Sequence, residues 1–242
     1  MAGHSKWANI KRRKGAQDAV RGRLFTKLIK EIAVAAKMGD AEPANNPRLR
    51  MAVDKAKSNS MPKATIERAI AKASGDLSGA SYEEILYEGY GPGGTAVLVE
   101  CLTDNRHRSS SEVRHAFTKS GGNLGTSGSV GYLFQRQGVF AMAVEGVDED
   151  TLMMEVLEGG ADDVEQDEGL WIVTCPMEAY DSCKKALQEL GVGLERAELT
   201  RIPDNLIPIT KEDAEKVMRL LEHLDELDDV QETYSNADLG VL

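Results

Sequence analysis

Apolar positions in the first third of the chain recur every three to four residues, which is the spacing of one face of an α-helix. This pattern predicts a helix over residues 23–38, a second that begins at Asn46-Pro47, and a third that begins after Pro62 and ends at Gly75. Asn before Pro is a typical helix start, because the Asn side chain caps free amides and Pro fits the first turn. The three helices are short and amphipathic, so the sequence predicts a small helical bundle.

Beyond Gly75 the period changes, and β-rich runs alternate with helical ones. The first two runs are joined by Gly91-Pro92-Gly93-Gly94, which is typical of a hairpin turn. The elements predicted in this unit are, in order, strands at 82–90 and 95–102, a helix at 109–120, a strand at 130–134, a helix capped by Thr210 and a strand at 229–234.

Between these parts lies a segment with its own complete pattern, strand-helix-strand-strand-helix-strand, which is typical of a ferredoxin-like domain. Its predicted elements are a strand at 139–144, a helix at 149–157, strands at 163–165 and 170–174, a helix at 176–190 and a strand at 194–201. The predicted fold class is therefore α+β with three domains. They are a basic arm plus helical bundle at 1–76, a discontinuous α+β domain formed by 77–136 with 204–242, and the ferredoxin-like domain at 137–203 inserted into it.

Charge is divided unequally along the chain, although the whole protein carries a formal net charge of −11. Residues 1–75 hold 17 lysines and arginines and six acids, a net charge of +11, whereas the rest of the chain has a net charge of −22. A cluster of cations repels itself in water and is stabilised by a polyanion. The first third is therefore predicted to bind nucleic acid, and a solvated tail that only aids solubility is the simpler alternative.

The N-terminal arm, residues 1–22, and the first helix contain the candidate nucleic-acid contacts. Their lysines and arginines are expected to contact phosphates. The indole of Trp7 is expected to stack on an exposed base, a contact worth about 1–3 kcal/mol where single-stranded bases are available. The candidates are His4, Ser5, Lys6, Trp7, Lys11, Arg12, Arg13, Lys14, Arg21, Arg23 and Lys27.

A second group of cations lies where a strand is predicted to end and a helix to begin. Arg106 and Arg108 precede the helix, and Arg114 follows within it. Helix N-terminal amides and arginine side chains together can bind a phosphate or a carboxylate. The alternative is a capped loop in which Asp104 pairs with these arginines, and the sequence leaves both interpretations open.

No motif in the sequence indicates catalysis. The run at 89–94 matches GxGxxG, but a strand follows it instead of a helix, so it is predicted to be a turn and not a dinucleotide site. The three cysteines form no CxxC, and the four histidines lack the spacing of metal ligands. We therefore predict no catalytic residue, no cofactor, no metal and no small-molecule substrate.

Two further patterns concern location and orientation. No run approaches the roughly 18–20 apolar residues of a membrane span, and no apolar stretch follows the basic N-terminus, so the sequence predicts a cytoplasmic protein without a membrane partner. Residues 137–183 contain neither lysine nor arginine. Phosphates would repel this acidic segment and so orient the basic end towards nucleic acid. Binding of a basic protein is the alternative.

Three motifs resemble the YebC/PmpR family. They are Gly3-His4-Ser5-Lys6-Trp7 with the IKRRKG that follows, YEGYGPGG at 87–94, and TDNRHR at 103–108. The resemblance spans essentially the whole chain and implies the same three-domain architecture. Family members are labelled cytoplasmic transcriptional regulators that bind DNA. Relatives, including the mitochondrial translational activator of cytochrome oxidase, are linked to ribosomes and to the synthesis of proline-rich stretches.

The predicted function is thus that of a non-enzymatic nucleic-acid-binding regulator of gene expression. The resemblance favours a DNA-binding transcriptional regulator. A Trp among the cations of a glycine-containing arm, with no evident helix-turn-helix, favours RNA slightly, so a ribosome-associated translation factor that binds ribosomal RNA is the alternative. A protein-binding adaptor that uses the acidic domains is a third hypothesis.

Overall fold

The computed structural model describes residues 6–7, 9, 21–75, 82–167 and 169–242. Its helices are α1 (Arg21–Met38), α2 (Pro47–Ser58), α3 (Lys63–Gly75), α4 (Arg106–Lys119), α5 (Glu149–Glu158), α6 (Tyr180–Glu189) and α7 (Lys211–Asp225). Its strands are β1 (Glu83–Tyr90), β2 (Ala96–Thr103), β3 (Asn123–Leu124), β4 (Phe134–Ala143), β5 (Asp163–Asp167), β6 (Leu170–Pro176), β7 (Leu194–Pro203) and β8 (Val230–Ser235). The described part of the chain is a mixed α/β structure of these seven helices and two antiparallel sheets.

Helices α1, α2 and α3 form the predicted bundle around an aliphatic core. Leu28, Ile32, Leu49 and Ile66 are buried in it. The predicted start at Asn46-Pro47 is confirmed, because the Asn46 side chain accepts a hydrogen bond from the Leu49 amide at 3.1 Å. The same side chain donates to a carbonyl near the end of α1, so one residue both caps α2 and ties it to α1.

The first sheet has the strand order β3-β1-β2-β8. Strands β1 and β2 form the predicted hairpin, in which Gly93 adopts a φ of 71° at the tip, a conformation that glycine tolerates best. Helices α4 and α7 cover one face of this sheet. Val97, Phe117 and Leu220 are buried between the sheet and the helices.

The second sheet has the strand order β5-β6-β4-β7. Its strands and the helices α5 and α6 follow one another in the chain in the predicted pattern strand-helix-strand-strand-helix-strand. Side chains alternate along β4. Phe140 and Met142 pack with residues of α5 and α6, whereas Val139 and Ala141 belong to a separate buried cluster on the other face. Both faces of this sheet are therefore covered.

The strand expected at 130–134 is wrong. Residues 131–133 form a 3-10 turn, and β4 begins at Phe134 and continues to Ala143. The Glu88 carboxylate accepts hydrogen bonds from the amides of Gly128, Val130 and Gly131 at 2.7, 2.8 and 2.6 Å, which removes these amides from any strand ladder. Burial alone would raise the pKa of Glu88, but these three donors hold it below its ordinary value.

Two other boundaries differ from expectation. Helix α4 begins at Arg106, earlier than the predicted residue 109, because the Asn105 side chain caps it by accepting from the Arg108 amide at 3.1 Å. Strand β3, which the sequence analysis missed, consists of two residues that pair with the end of β1. Two residues are too few to show an alternating pattern of apolar and polar positions, so the sequence could not predict this strand.

Candidate nucleic-acid interface

Only part of the predicted arm can be placed. Seven candidates lie outside the described residues, wholly or in their side chains, namely His4, Ser5, Lys11, Arg12, Arg13, Lys14 and the side chain of Arg21. Lys6 and Trp7 are described, as are the candidates of α1 and α4. Lys6 is exposed, as a phosphate contact requires.

Trp7 is buried, with only 4% of its surface exposed. It packs against Val139, Ala141 and Ile202 on the face of the second sheet that the helices leave open. The guanidinium carbon of Arg196 lies 5.7 Å from the centre of its ring. A base cannot stack on an indole enclosed in this way, so the stacking role predicted for Trp7 conflicts with the structure.

Asn9 fixes the same segment at a second point. Its side-chain oxygen accepts a hydrogen bond of 2.6 Å from the Leu239 amide, and the Asn9 side chain is buried. Trp7 thus contacts the second sheet, and Asn9 contacts the C-terminal end of the chain. The segment that immediately precedes the densest run of cations therefore has a structural role of its own.

Three cations of α1 form ion pairs with carboxylates from the C-terminal part of the chain. Arg23 lies 3.2 Å from Glu226, and Lys27 lies 3.9 Å from Asp225. Lys30, next along the same face, donates to Asp229 at 2.9 Å. Phosphate contacts by Arg23 and Lys27, as predicted from sequence, would require these ion pairs to open.

Asp229 is the centre of this contact and is nearly inaccessible to solvent. Besides Lys30, its carboxylate accepts from the Thr103 hydroxyl at 2.8 Å and from two nitrogens of Arg108 at 2.7 and 3.2 Å. Burial alone would raise the pKa of Asp229, but these donors keep it below its ordinary value. The carboxylate is therefore held ionised between the helical bundle and the first sheet.

Arg108 forms ion pairs with two carboxylates. Besides Asp229 it contacts Asp104 at 2.8 Å, as expected for a capped loop. Arg106 and Arg114, which are exposed like Arg108, differ from it because no carboxylate of the described residues forms an ion pair with them. The structure thus separates three arginines that the sequence places together.

Further ion pairs join the helical bundle to the rest of the molecule. Lys55 donates to Glu232 at 2.6 Å, and Arg50 lies 3.7 Å from Asp181. Arg48 contacts Glu84 as well as Glu31 within the bundle. The positive charge of residues 21–75 therefore serves in part to hold the bundle against the acidic remainder of the chain.

The sequence analysis did not identify Asp229 or Lys30 as important residues. A signal for them was present, since the run DELDDVQE at 225–232 is acidic and residues 21–30 are basic. Opposite charge alone could not show which of the many acidic positions would meet α1. That information comes from the antiparallel pairing of β2 with β8, which brings residue 229 to the end of β2.

Other chemistry is sparse in the described residues. Cys101, Cys175 and Cys183 are buried, and burial raises the pKa of Cys101 and of Cys175 to about 12, so these thiols are protonated near neutral pH. No cluster of three or more histidine, cysteine or acidic side chains in the described ranges could hold a metal ion. None of the helices described is both long enough and apolar enough to cross a bilayer.

In comparisons with known proteins, almost the whole chain matches models of a single family. Residues 5–76 match a family model described as the TACO1/YebC protein N-terminal domain, and residues 82–237 match one described as the TACO1/YebC second and third domain. A probable transcriptional regulatory protein of Pectobacterium carotovorum is 55% identical over 241 residues, covering 99% of this chain and 97% of the relative. One from Methylococcus capsulatus is 56% identical over 242 residues, with the same coverage.

The fold also matches a solved structure. The crystal structure of a conserved hypothetical protein from Aquifex aeolicus superimposes with a TM-score of 0.80 and 48% sequence identity, covering 91% of each chain. At this identity and coverage, the two proteins share the arrangement of helices and sheets described above.

Proposed function

The chain belongs to the TACO1/YebC family, and we propose that it is a non-enzymatic, cytoplasmic regulator of gene expression that binds DNA. The names of its relatives support a role in transcriptional regulation. The observation that carries the proposal is the charge of residues 1–75, a net of +11 on a chain whose remainder is strongly acidic. Nucleic acid is the polyanion that such a surface attracts.

We further propose that the chain is organised as three units with the boundaries given above, 1–76, 77–136 with 204–242, and 137–203. Separate buried clusters support this division, since the bundle, the first sheet and the second sheet each have their own core. Strand β4 begins in the second of these units and ends in the third. A strand shared in this way would transmit the orientation of one sheet to the other.

In this proposal the phosphate contacts come from the arm and from α4. Lys6 is exposed, and Lys11, Arg12, Arg13 and Lys14 follow it closely in the sequence. Arg106 and Arg114 supply a second, exposed pair of cations. The acidic segment 137–183 would face away from the phosphates, because like charges repel.

The experiment is a titration of labelled duplex DNA at several salt concentrations. If about six of these cations each neutralise one phosphate, log K falls with log salt at a slope near −5.4. Changing Lys11, Arg12, Arg13 and Lys14 to glutamine should flatten the slope by about 3.6 and weaken binding at least tenfold. A slope near zero for the wild type would contradict the proposal.

A matched control removes the same charge elsewhere. Lys63, Lys72, Lys119 and Lys185 are all exposed, and their change to glutamine alters the net charge by the same four units. This control should retain most of the wild-type slope. Equal losses in the two variants would mean that overall charge, and not the arm, determines affinity.

One observation favours ribosomal RNA as an alternative target. The charged face of α1 is covered by carboxylates, so α1 is not presented as a recognition helix for a major groove. A ribosome-associated factor that aids synthesis of proline-rich stretches would instead use the arm on RNA. Co-sedimentation with ribosomes at the salt of the DNA titration distinguishes the two, since a transcriptional regulator should remain in the supernatant.

A protein-binding adaptor is supported by a different surface. On α5, Met153, Met154 and Leu157 are exposed on one side of a segment that lacks lysine and arginine. An apolar helix face with acidic neighbours suits a basic amphipathic helix. Calorimetric titration with a lysine- and leucine-rich helical peptide tests this: Met154→Glu should abolish binding, whereas Met38→Glu, at another exposed methionine, should not.

A further inference from the structure

We propose that the acidic turn, residues 225–229, is an intramolecular competitor that occupies the cations of α1 until a nucleic-acid backbone displaces it. The proposal rests on the proposed function, because it describes how that binding is regulated. It assigns Arg23 and Lys27 to a phosphate site whose occupant in the free protein is a pair of the chain's own carboxylates, while Lys30 stays paired with Asp229.

The geometry of the contact matches what a phosphate backbone would offer. Arg23, Lys27 and Lys30 are spaced i, i+4 and i+7, so they lie in one row along a single face of α1. Their partners, Glu226, Asp225 and Asp229, all come from one short turn between α7 and β8. A row of cations thus meets a compact group of anions, which is the arrangement that successive phosphates provide.

The contact is graded in strength from one end to the other. Arg23 and Glu226 are both about half exposed, and such exposed pairs contribute little to stability. Asp229 is buried with three donors, so its end of the row is held firmly. The outer end can therefore open to a competing anion without unfolding the first sheet.

Lys27 has an incomplete partner in the middle of the row. Among the described residues, the carboxylate nearest to its ammonium group is that of Asp225, at 3.9 Å, which is beyond ordinary hydrogen-bond distance. Burial lowers the pKa of Lys27, and the charge of Asp225 opposes this effect only partly. A phosphate oxygen at closer range would stabilise the ammonium group better than Asp225 does.

The contact is also accessible from solvent. A polar cleft of about 510 Å³ opens beside it, and its lining holds two cations, Lys30 and Arg108, and five carboxylates, namely those of Asp104, Glu112, Glu226, Asp228 and Asp229. These carboxylates oppose a phosphate inside the cleft, because like charges repel. Displacement therefore begins at the outer, exposed pair of Arg23 and Glu226.

The test removes the competitor and leaves its cations in place. In the double variant Asp225→Asn with Glu226→Gln, the α1 cations lose two partners, so a labelled duplex or a labelled single-stranded RNA of equal length should bind about fivefold to tenfold tighter at low salt. Two additional phosphate contacts should also steepen the salt slope by about 1.8.

The control separates this effect from net charge. Glu215→Gln with Glu222→Gln makes the same charge change on exposed positions of the same helix, and should alter affinity less than twofold. A second control adds Arg23→Gln and Lys27→Gln to the competitor variant. The gain in affinity should then vanish. In the wild-type background the same two changes should also weaken binding, but by less, because there the carboxylates must first be displaced.

The outcomes distinguish this inference from the function on which it rests. Equal affinity in the competitor variant and its control, or a gain that survives loss of Arg23 and Lys27, overturns the competitor while leaving nucleic-acid binding intact. If neither probe binds any of these proteins at low salt, both proposals fail.

Discussion

Helices α1 and α4 both carry cations that the sequence marks as candidates for phosphate contact, yet the structure treats them differently. Arg23, Lys27 and Lys30 of α1 face the carboxylates of the acidic turn. Arg106 and Arg114 of α4 are exposed and lack such partners among the described residues. Counted along the chain, the two groups are equivalent. In three dimensions one group joins two parts of the molecule and the other is available to a ligand.

The comparison shows that charge segregation in a sequence has two uses that composition cannot separate. A basic region can attract an external polyanion, or it can dock on an acidic region of the same chain. Here the bundle does the second through several ion pairs, and this leaves fewer cations for the first than the net charge of +11 suggests. The proposed competitor connects the two uses, because the same cations would serve both.

The largest expected effect on stability is at the contact between the α1 cations and the acidic turn. Asp229→Asn leaves Lys30, Arg108 and Thr103 facing a neutral amide, and removing one member of a buried ionic network costs about 3 kcal/mol. Urea denaturation should show this loss in the free energy of unfolding. Asp228→Asn, at the exposed neighbouring position, serves as the control and should change it by less than about 0.5 kcal/mol.

A different result would contradict the distinction between the docked cations of α1 and the available cations of α4. If Asp229→Asn were as stable as the wild type, the α1 cations would not be held by the acidic turn. They would then rank with Arg106 and Arg114 as available side chains, and the competitor would have nothing to release.

The same variant gives a pH dependence. The pKa of Asp229 in the folded protein lies below its ordinary value, which is about 3.9 in an unfolded chain. Its stabilising contribution is therefore fully present above that ordinary value and is lost as the pH falls through the folded pKa. The difference in stability between wild type and Asp229→Asn should stay constant from pH 7 to about pH 5 and narrow below about pH 4. A difference that widens towards acid would contradict the assignment.

Trp7 sharpens the comparison for the arm. Trp7→Ala removes a buried ring that packs on the second sheet, so we expect a loss of about 3 kcal/mol in the free energy of unfolding. With Trp171→Phe, Trp7 becomes the single indole, and acrylamide should quench its fluorescence poorly. Quenching as strong as that of a free indole would show that Trp7 is accessible and would restore its predicted role in base stacking.

Much of the fold could be predicted because it depends on local patterns. Asn46 before Pro47 predicted a helix start, and the cap is present. The spacing of apolar residues predicted the buried face of each helix in the bundle. The turn around Gly131 was not, because it depends on the distant carboxylate of Glu88, which no window around residue 131 contains.

The candidate site was harder to predict for the same reason. Trp7 stands alone among polar and basic residues, so no period revealed that it would be buried. The signal that could have found it lies elsewhere: Val139–Ala143 are all apolar, which indicates a strand buried on both faces and hence a cover for the second face. Which segment supplies that cover is a tertiary fact.

A smaller effect is expected at the exposed end of the docked row. The pair between Arg23 and Glu226 should show a coupling free energy of about 0.5 kcal/mol in a double-mutant cycle with Arg23→Gln and Glu226→Gln. This coupling should fall when salt is raised, because both side chains are exposed. A coupling above about 2 kcal/mol would mean that the outer end is as firmly held as Asp229, and displacement by phosphate would then be implausible.

The smallest effect on stability is expected for the exposed arginines of α4. Arg106→Gln and Arg114→Gln should each change the free energy of unfolding by less than about 0.5 kcal/mol, because these side chains are exposed and make no ion pair with the described residues. In the DNA titration, however, the two changes together should reduce the magnitude of the salt slope by about two if both arginines contact phosphate. Lys30→Gln should have the opposite pattern. It should lower the free energy of unfolding and leave the salt slope of DNA binding almost unchanged. If Lys30 and Arg114 behaved alike in both measurements, the division between docked and available cations would have no functional meaning.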